Sequence, residues 1–497
     1  MLLLLAASFA AGMYFAGQGD RPQAIVDSSD GASYQGGYDQ TADSVTETTR
    51  QPGGPSESGQ VIEVREGELI QDAVKRARPG DTIRVHPGVY SETVYVDKDD
   101  IRLLGIIREG ARATLDGNGS LNDAILYSGN GFVVENFKIV NYKGNAIMGQ
   151  AGNNFEIRNN IIADTGIYGI FPQLGKNGIV EHNIVSGIAD AAIYVGMSDN
   201  VHVAHNDVFD SVAGIEIENS RHAIVENNYV HNNTGGILAF ITPGLPIKTT
   251  FDVIIRNNFV EANNHVNFGA PGSTVAGIPA GTGILIMAAD DVVIEDNIIS
   301  NHKTAGILIA DHANSGNITF DPESEPNPDR VAILNNMMIG NGYDTINEIK
   351  ALMLTELKSV EPDIVAVGGG QGSCIINRHR YRTVGLSDYT DCDFTNTDDV
   401  ITYQLDQPVA PREIKPSERG KIAYLGVCAG CHSYKGHLIG PPVVEIQEIY
   451  KDNPMGVAGY IANPVKKRQD YPEMPSQAYL GGETMAAVAE YMMSRKD

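Results

Sequence analysis

The chain has no tryptophan, only four cysteines and, in 497 residues, 36 Lys and Arg against 62 Asp and Glu. Four cysteines are too few to build a fold on disulfides. The net charge of −26 argues against nucleic acid, against anionic membrane surfaces and against unassisted capture of uronate polymers. The shortage of basic residues is uneven: from Arg412 onward eleven Lys and Arg face ten Asp and Glu, which leaves −27 for residues 1–411. Long apolar runs are missing too. The longest, Met1 to Gly17, has the length of a signal-peptide core and falls short of the ~20 residues a membrane span needs. It lacks the basic segment that normally precedes such a core and has no nearby cysteine for a lipid. We read residues 1–17 as an export signal, or as a marginal anchor in the inner membrane. Residues 18–60, rich in Gly, Ser, Thr, Gln and Asp with almost no aliphatic run, are expected to be a disordered linker. The 54 glycines, with no tryptophan, favour a turn-rich fold in two or three domains.

What is present begins with Cys428-Ala429-Gly430-Cys431-His432. Cys-x-x-Cys-His attaches a c-type haem: two thioethers fix the porphyrin and the histidine ligates iron. Cys-x-x-Cys alone also occurs in zinc sites and redox dithiols, but no second Cys/His cluster completes a zinc site here and no thioredoxin-type βαβ pattern surrounds the motif. Residues 412–497 as a whole resemble a class I cytochrome c. The segment Glu418 to Tyr424 reads as a helix whose Gly420 lets the C-terminal helix carrying Tyr491 cross closely. Gly440-Pro441-Pro442 and Tyr471-Pro472-Glu473-Met474-Pro475 follow. The resemblance implies one covalent haem c on Cys428 and Cys431, iron ligation by His432 and Met474, and a bond from the histidine ring to the Pro441 carbonyl. It also places the chain in the periplasm, since c-type attachment happens outside the cytoplasmic membrane. In such a compartment Cys374 and Cys392 are expected to pair as a disulfide.

Between linker and motif lies a repeat. A small residue followed by isoleucine recurs at Ile147, Ile170, Ile193, Ile215, Ile237, Ile284 and Ile307, at intervals of 23, 23, 22, 22, 47 and 23. Asn136, Asn160, Asn183, Asn206, Asn228, Asn258, Asn297 and Asn336 run in phase with it. Short β-branched runs with Gly and Asn at the corners and no helical period predict coils of a parallel β-helix. An amphipathic helix from Ile70 to Ala77 is expected to cap its open end, and Pro79 to Tyr90 to begin the first coil. That opening resembles right-handed β-helix proteins, among them pectin-active and alginate-active enzymes and the periplasmic protein of nitrous-oxide-reductase copper maturation. The chain as a whole looks like a bacterial family of exported β-helix proteins that carry such a cytochrome. The expected fold is therefore an all-β right-handed parallel β-helix over 61–345, a C-terminal cap over 346–403 with a helix near 346–357, a linker over 404–416, and a small all-α class I cytochrome c domain over 417–497.

Three inserted loops, near 241–250, 263–281 and 311–329, leave one strand column in consecutive coils. With each repeat isoleucine inward, alternation turns Leu238, Phe240, Leu285, Met287 and Leu308 outward between the loops. One coil earlier Glu216 and Glu218 face out, with Tyr194 and Gln173 beyond them. An apolar outward stripe predicts a buried interface, covered by the inserted loops themselves, by the C-terminal domain swung back on its linker, or by a protein partner for which it is the binding surface. The expected function is therefore periplasmic electron transfer, the β-helix serving as docking scaffold for a redox partner, either a dehydrogenase or another cytochrome. The alternative is a polysaccharide-active β-helix enzyme (lyase, epimerase or hydrolase) with an attached haem domain. Its candidate catalytic residues are Glu216, Glu218, Asp311 and His312, against which stands the reading of all four as solvated surface. His182, His205 and His222 fall at coil corners where Asn stands elsewhere and read as turn residues.

Overall fold

A repeat of 22 to 23 residues closes one turn of a coil when three short strands alternate with corners, and each strand then finds its hydrogen-bond partners in the copy above. The computed structural model describes residues 59–497 apart from 272, 316–320, 437, 469, 470, 472 and 497. The expected export signal and nearly all of the first linker lie outside the described residues. Among those residues, every strand pairing along the stack is parallel, and the strands form sheets of 12, 11 and 10 members running the length of the coil. In the 11-stranded sheet Ile147, Ile170, Ile193, Ile215, Ile237, Ile284, Ile307 and Ile364 are direct partners in successive strands. All eight are fully buried. Helix α1 (Ile70–Arg76) covers the first coil with Ile70, Ala73 and Val74.

The corners explain the polar part of the repeat. Asn159, His182, His205, Asn227, Asn257, Asp296 and Asn335 all adopt φ between 49° and 56°, a left-handed conformation that Asn, Asp and His tolerate better than branched residues. His182 and His205 are turn residues of this set, their rings stacked 4.9 Å apart. The next residue builds a ladder: the Asn206 amide donates to Asn228 Oδ1, Asn228 to Asn258 and Asn258 to Asn297, each at 3.0 Å. Asn136 is not a rung. It sits one residue out of phase, and Phe137 takes the position, its N–H donating to Asn160 Oδ1 at 3.1 Å. A second ladder, Ser211, Asn233, Asn263, His302 and Asn341, runs up another corner.

The coil does not end at 345. Strands Ile364–Val367, Cys374–Ile375 and Thr383–Val384 continue two of the sheets, so the expected helix, α2 (Asn347–Thr355), is an insertion within the stack. Cys374 and Cys392 are joined, with Cα atoms 4.9 Å apart. The chain then turns back along the outside of the 12-stranded sheet. Thr397 binds the Glu295 carboxylate, Gln404 Nε2 donates to the Gly178 and Asn200 carbonyls, and the Leu405 and Val409 N–H groups donate to Asn177 and Asn154. What reads as a linker over 404–416 is thus pinned to the coil over its first half. Helices α3 (Pro416–Ala423), α4 (Val443–Tyr450), α5 (Gly456–Ala462) and α6 (Gly481–Ser494) form the C-terminal module. A Cβ on Gly420 would stand 2.1 Å from the Ala487 carbonyl, so the close crossing of α3 and α6 requires glycine.

Candidate functional site

The apolar stripe is interior. Leu238, Phe240, Leu285, Met287 and Leu308 do point out of the coil, yet all are buried, in one cluster with Val275 and Ile278 of the second inserted loop and Ile349 of α2. Burying such side chains stabilises each by roughly 1.5 to 3 kcal/mol, and the chain's own insertions do it. The expected docking floor is thereby corrected: it offers a partner no surface.

One coil earlier the same columns turn polar. Strand register places Glu216 between Tyr194 and Leu238, and Glu218 between Gly196 and Phe240. Both carboxylates face outward as the alternation predicts, but they are not solvated: Glu216 is 2% and Glu218 7% exposed. They line a narrow cavity of about 30 Å³ together with Asp190, Tyr168, Thr242, and Gly430 of the C-terminal module. The Tyr194 hydroxyl donates to Glu218 Oε2. Glu216 Oε1 is buried with no hydrogen-bond partner among the described residues. Tyr168 and Tyr194 stack 4.6 Å apart, and Phe171 closes the aromatic group. Burial pushes Glu218 up to about 7. Burial, reinforced by neighbouring acids, raises Glu216 and Asp190 well above the usual carboxylate range. Sequence reasoning missed Asp190, Tyr168 and Thr242. Asp190 lies just ahead of strand Ala191–Gly196, in a corner where no periodicity gives a direction.

Asp311 and His312 do not form an acid/base pair. Asp311 Oδ1 accepts from the Asn314 backbone N–H at 2.8 Å and its Oδ2 from Gly369 at 2.7 Å, while His312 Nε2 donates to the Ile241 carbonyl at 2.9 Å. Both side chains hold loops in place.

In the C-terminal module Cys428 and Cys431 carry free thiols, pushed up to about 12 by burial. His432 is buried and its Nδ1 donates to the Pro441 carbonyl at 2.8 Å, which leaves Nε2 as the ring's open ligand atom. Met474 is half-buried in the apolar cluster that contains Cys428, Tyr424 and Val443. Among the other methionines Met485 and Met492 are core residues and Met455 is exposed.

The family model described as "Right handed beta helix region" matches residues 111–241 and 214–324. Among curated proteins none matches the chain. Similar solved structures include the A-module of mannuronan C-5 epimerase AlgE6 from Azotobacter vinelandii, at 12% identity over 63% of this chain and 82% of that one, with a TM-score of 0.43. An alginate lyase from a Paenibacillus species is 14% identical over 58% of this chain and 99% of its own, with a TM-score of 0.44. A family 28 exopolygalacturonase from Yersinia enterocolitica is 11% identical over 67% and 79%, with a TM-score of 0.39. At these identities the likeness concerns the fold. The electron-transfer scaffold expected from sequence is corrected by the packing: the surface named for its redox partner is private packing, and the outward acids are gathered into a buried pocket. The central part of the chain is a right-handed parallel β-helix.

Proposed function

We propose that this chain is a polysaccharide-active β-helix enzyme of hydrolytic type with an appended haem-binding domain. One observation carries the reading: Asp190, Glu216 and Glu218 converge on a single pocket beside Tyr168 and Tyr194. Glycosidic hydrolysis needs one carboxylic acid to protonate the departing oxygen and a second carboxylate to activate water or attack the anomeric carbon. Glu218, held near 7, is the proton donor. Asp190 and Glu216 supply the second group. No Lys or Arg lines the pocket among the described residues. A lyase or epimerase acting on uronates has to neutralise the substrate carboxylate, usually with a basic residue or a cation, so a neutral glycan fits this pocket better than a uronate polymer. The acidic body of the protein favours the same choice. The test is release of reducing ends from a panel of neutral glycans. A Glu218→Gln variant should lose roughly 10²- to 10⁴-fold in rate; undiminished release in that variant would refute the assignment.

The C-terminal module is proposed to hold haem c through Cys428, Cys431 and His432, with Met474 as the sixth ligand. The bond from His432 to Pro441 supports this, because it fixes the tautomer that metal ligation by Nε2 requires. A haem bound there supplies one-electron chemistry at iron. Export to the periplasm is part of the same proposal, and the Cys374–Cys392 bond suits an oxidising compartment.

A further inference from the structure

Three sheets give the coil three outer faces, and the chain itself lies on two of them. The inserted loops and the C-terminal module rest on the 11-stranded sheet, and the returning segment from Thr397 to Val409 rests on the 12-stranded one. The 10-stranded sheet stays open. Its inward residues are ordinary for a coil, Val230, Val260 and Ile299 being fully buried, but its outward residues are not. Tyr229, Phe259, Ile298 and Met337 are direct partners in successive strands, and the last three, with Ile339 beside them, are 37% to 53% exposed. Ile161 and Ile184 carry the same column further down the coil, with Asp207 standing between them and Tyr229. From Ile161 to Met337 the column rises six strand spacings, about 29 Å. Phe209 and His231, outward on the neighbouring column, join Tyr229 and Phe259 in one row of near-parallel rings, with angles of 17°, 21° and 10° from ring to ring. The two acids beside this row are engaged within it: Asp207 Oδ1 bonds the His231 ring at 3.0 Å, and the Tyr229 hydroxyl donates to Glu261 Oε2 at 3.0 Å. A solenoid has no folding need for apolar residues that point outward, and a contiguous exposed patch of them marks a contact surface.

Charge and shape choose the occupant. The net charge of −26 opposes anionic lipid and uronate polymers, so the complement of this uncharged column is an uncharged surface. The unbroken register keeps the face regular, and its two outward columns stand about 7 Å apart, so the stripe between them covers on the order of 200 Å². A stable second copy needs ~800 Å² per partner. Stacked chains of a neutral glycan present a matching plane, with C–H faces for the aliphatic and aromatic column and hydroxyls for Asp207, His231 and Glu261 at its side. Weak contacts of this kind suffice on a polymer, because each one holds the next within reach.

We infer that the outer face of the 10-stranded sheet is an adsorption surface for an insoluble, uncharged polysaccharide, separate from the pocket of Glu216 and Glu218. The inference rests on the neutral-glycan reading for its ligand, and none of the residues proposed to hold haem takes part in it. The test is depletion of the full-length protein from solution by microcrystalline cellulose and by chitin particles, with calcium alginate beads as the charged comparison. Phe259→Asp with Ile298→Asp sets two charges on the face. Phe259→Ser with Met337→Ser is the milder pair that guards against misfolding of the first, and Val465→Asp, at an exposed position of the C-terminal module, is the control. The wild type and the control should adsorb to cellulose or chitin and not to alginate, and both pairs should lose roughly tenfold or more in affinity as charge or hydroxyl replaces apolar contact. Equal adsorption by all four proteins would overturn the inference, as would a wild type that stays in solution or prefers alginate. Sedimentation velocity on the same proteins covers the remaining occupant: a wild-type dimer that both pairs dissociate would assign the face to a second copy and overturn the inference as well. Release of reducing ends from soluble neutral oligosaccharides separates this face from the hydrolytic reading. Glu218→Gln that adsorbs like the wild type and releases nothing supports both. Adsorption by a wild type that releases nothing keeps the face and removes the hydrolytic reading, whereas release without adsorption removes the face and keeps the hydrolytic reading.

Discussion

His302 provides a quantitative test of the fold. It is the one histidine in a ladder otherwise built of Asn and Ser, it is fully buried, and both ring nitrogens are engaged: Nε2 accepts from Asn263 Nδ2 at 3.1 Å and Nδ1 donates to Asn341 Oδ1 at 3.0 Å. A second ring proton would point Nε2–H at the Asn263 amide hydrogens, donor against donor. Burial lowers the pKa from 6.5 to about 4. Because the folded value lies below the unfolded one, the unfolded chain binds the proton more readily. Stability from this residue is therefore complete above about pH 6.5 and is lost as pH falls toward 4. The difference of the two titration curves gives a loss of about 2 kcal/mol at about pH 5 and about 3 kcal/mol once both states are protonated. His302→Asn, which places in the rung the residue found on either side of it, removes the titrating group. Urea unfolding of both proteins near pH 7.5 and near pH 5 should show the wild type losing about 2 kcal/mol more than the variant between the two conditions. All other titrating groups are common to both chains and cancel. Parallel losses in the two proteins would refute the reasoning, and so would a variant that is the more pH-sensitive of the two.

The first ladder offers a second test: Asn228→Ala strips buried bonds to the Val203 and Glu226 carbonyls and to Asn258 and should cost about 2 to 4 kcal/mol in a denaturant titration. Asn136→Ala, out of phase and holding only a left-handed corner, should cost about 1 to 2 kcal/mol; equal losses at the two positions would mean that the ladder does not stabilise. Reduction of Cys374–Cys392, which are 18 residues apart, should lower stability by about 3 kcal/mol in the chain-entropy picture, read as a shift of the urea midpoint with and without reductant.

The repeat isoleucines were legible because a coil can close only if the same position turns inward in every turn. The period therefore assigns fold and strand direction together, and it carried Glu216 and Glu218 to the outer face correctly. It carried no further than that. Periodicity gives the direction of a side chain from its own strand, whereas burial depends on what arrives from elsewhere in the chain. Val275, Ile278 and Ile349 reach the apolar stripe from insertions that have no period. The Cys-x-x-Cys turn reaches the acids from more than two hundred residues away along the sequence. The same limit explains the ladder error at Asn136: asparagine is favoured both at the left-handed corner and at the rung beside it, and only the hydrogen-bond direction separates the two.

The acids thus owe their unusual state to position in the assembled chain and not to their own neighbourhood in sequence. An outward Glu-x-Glu on an exposed strand would be ionised and solvated. Here the module covers it, burial raises its protonation, and the aromatic group of Tyr168, Phe171 and Tyr194 supplies a dry wall. Two buried carboxyls on one strand, with a third facing them, cost stability unless they stay protonated. A fold that needed only packing at Glu216 would place there the leucine found at the next position of its column, Leu238. Acids stand at Glu216 and Glu218 where the next coil of the same columns has Leu238 and Phe240, and the hydrolytic role proposed for them rests on that contrast.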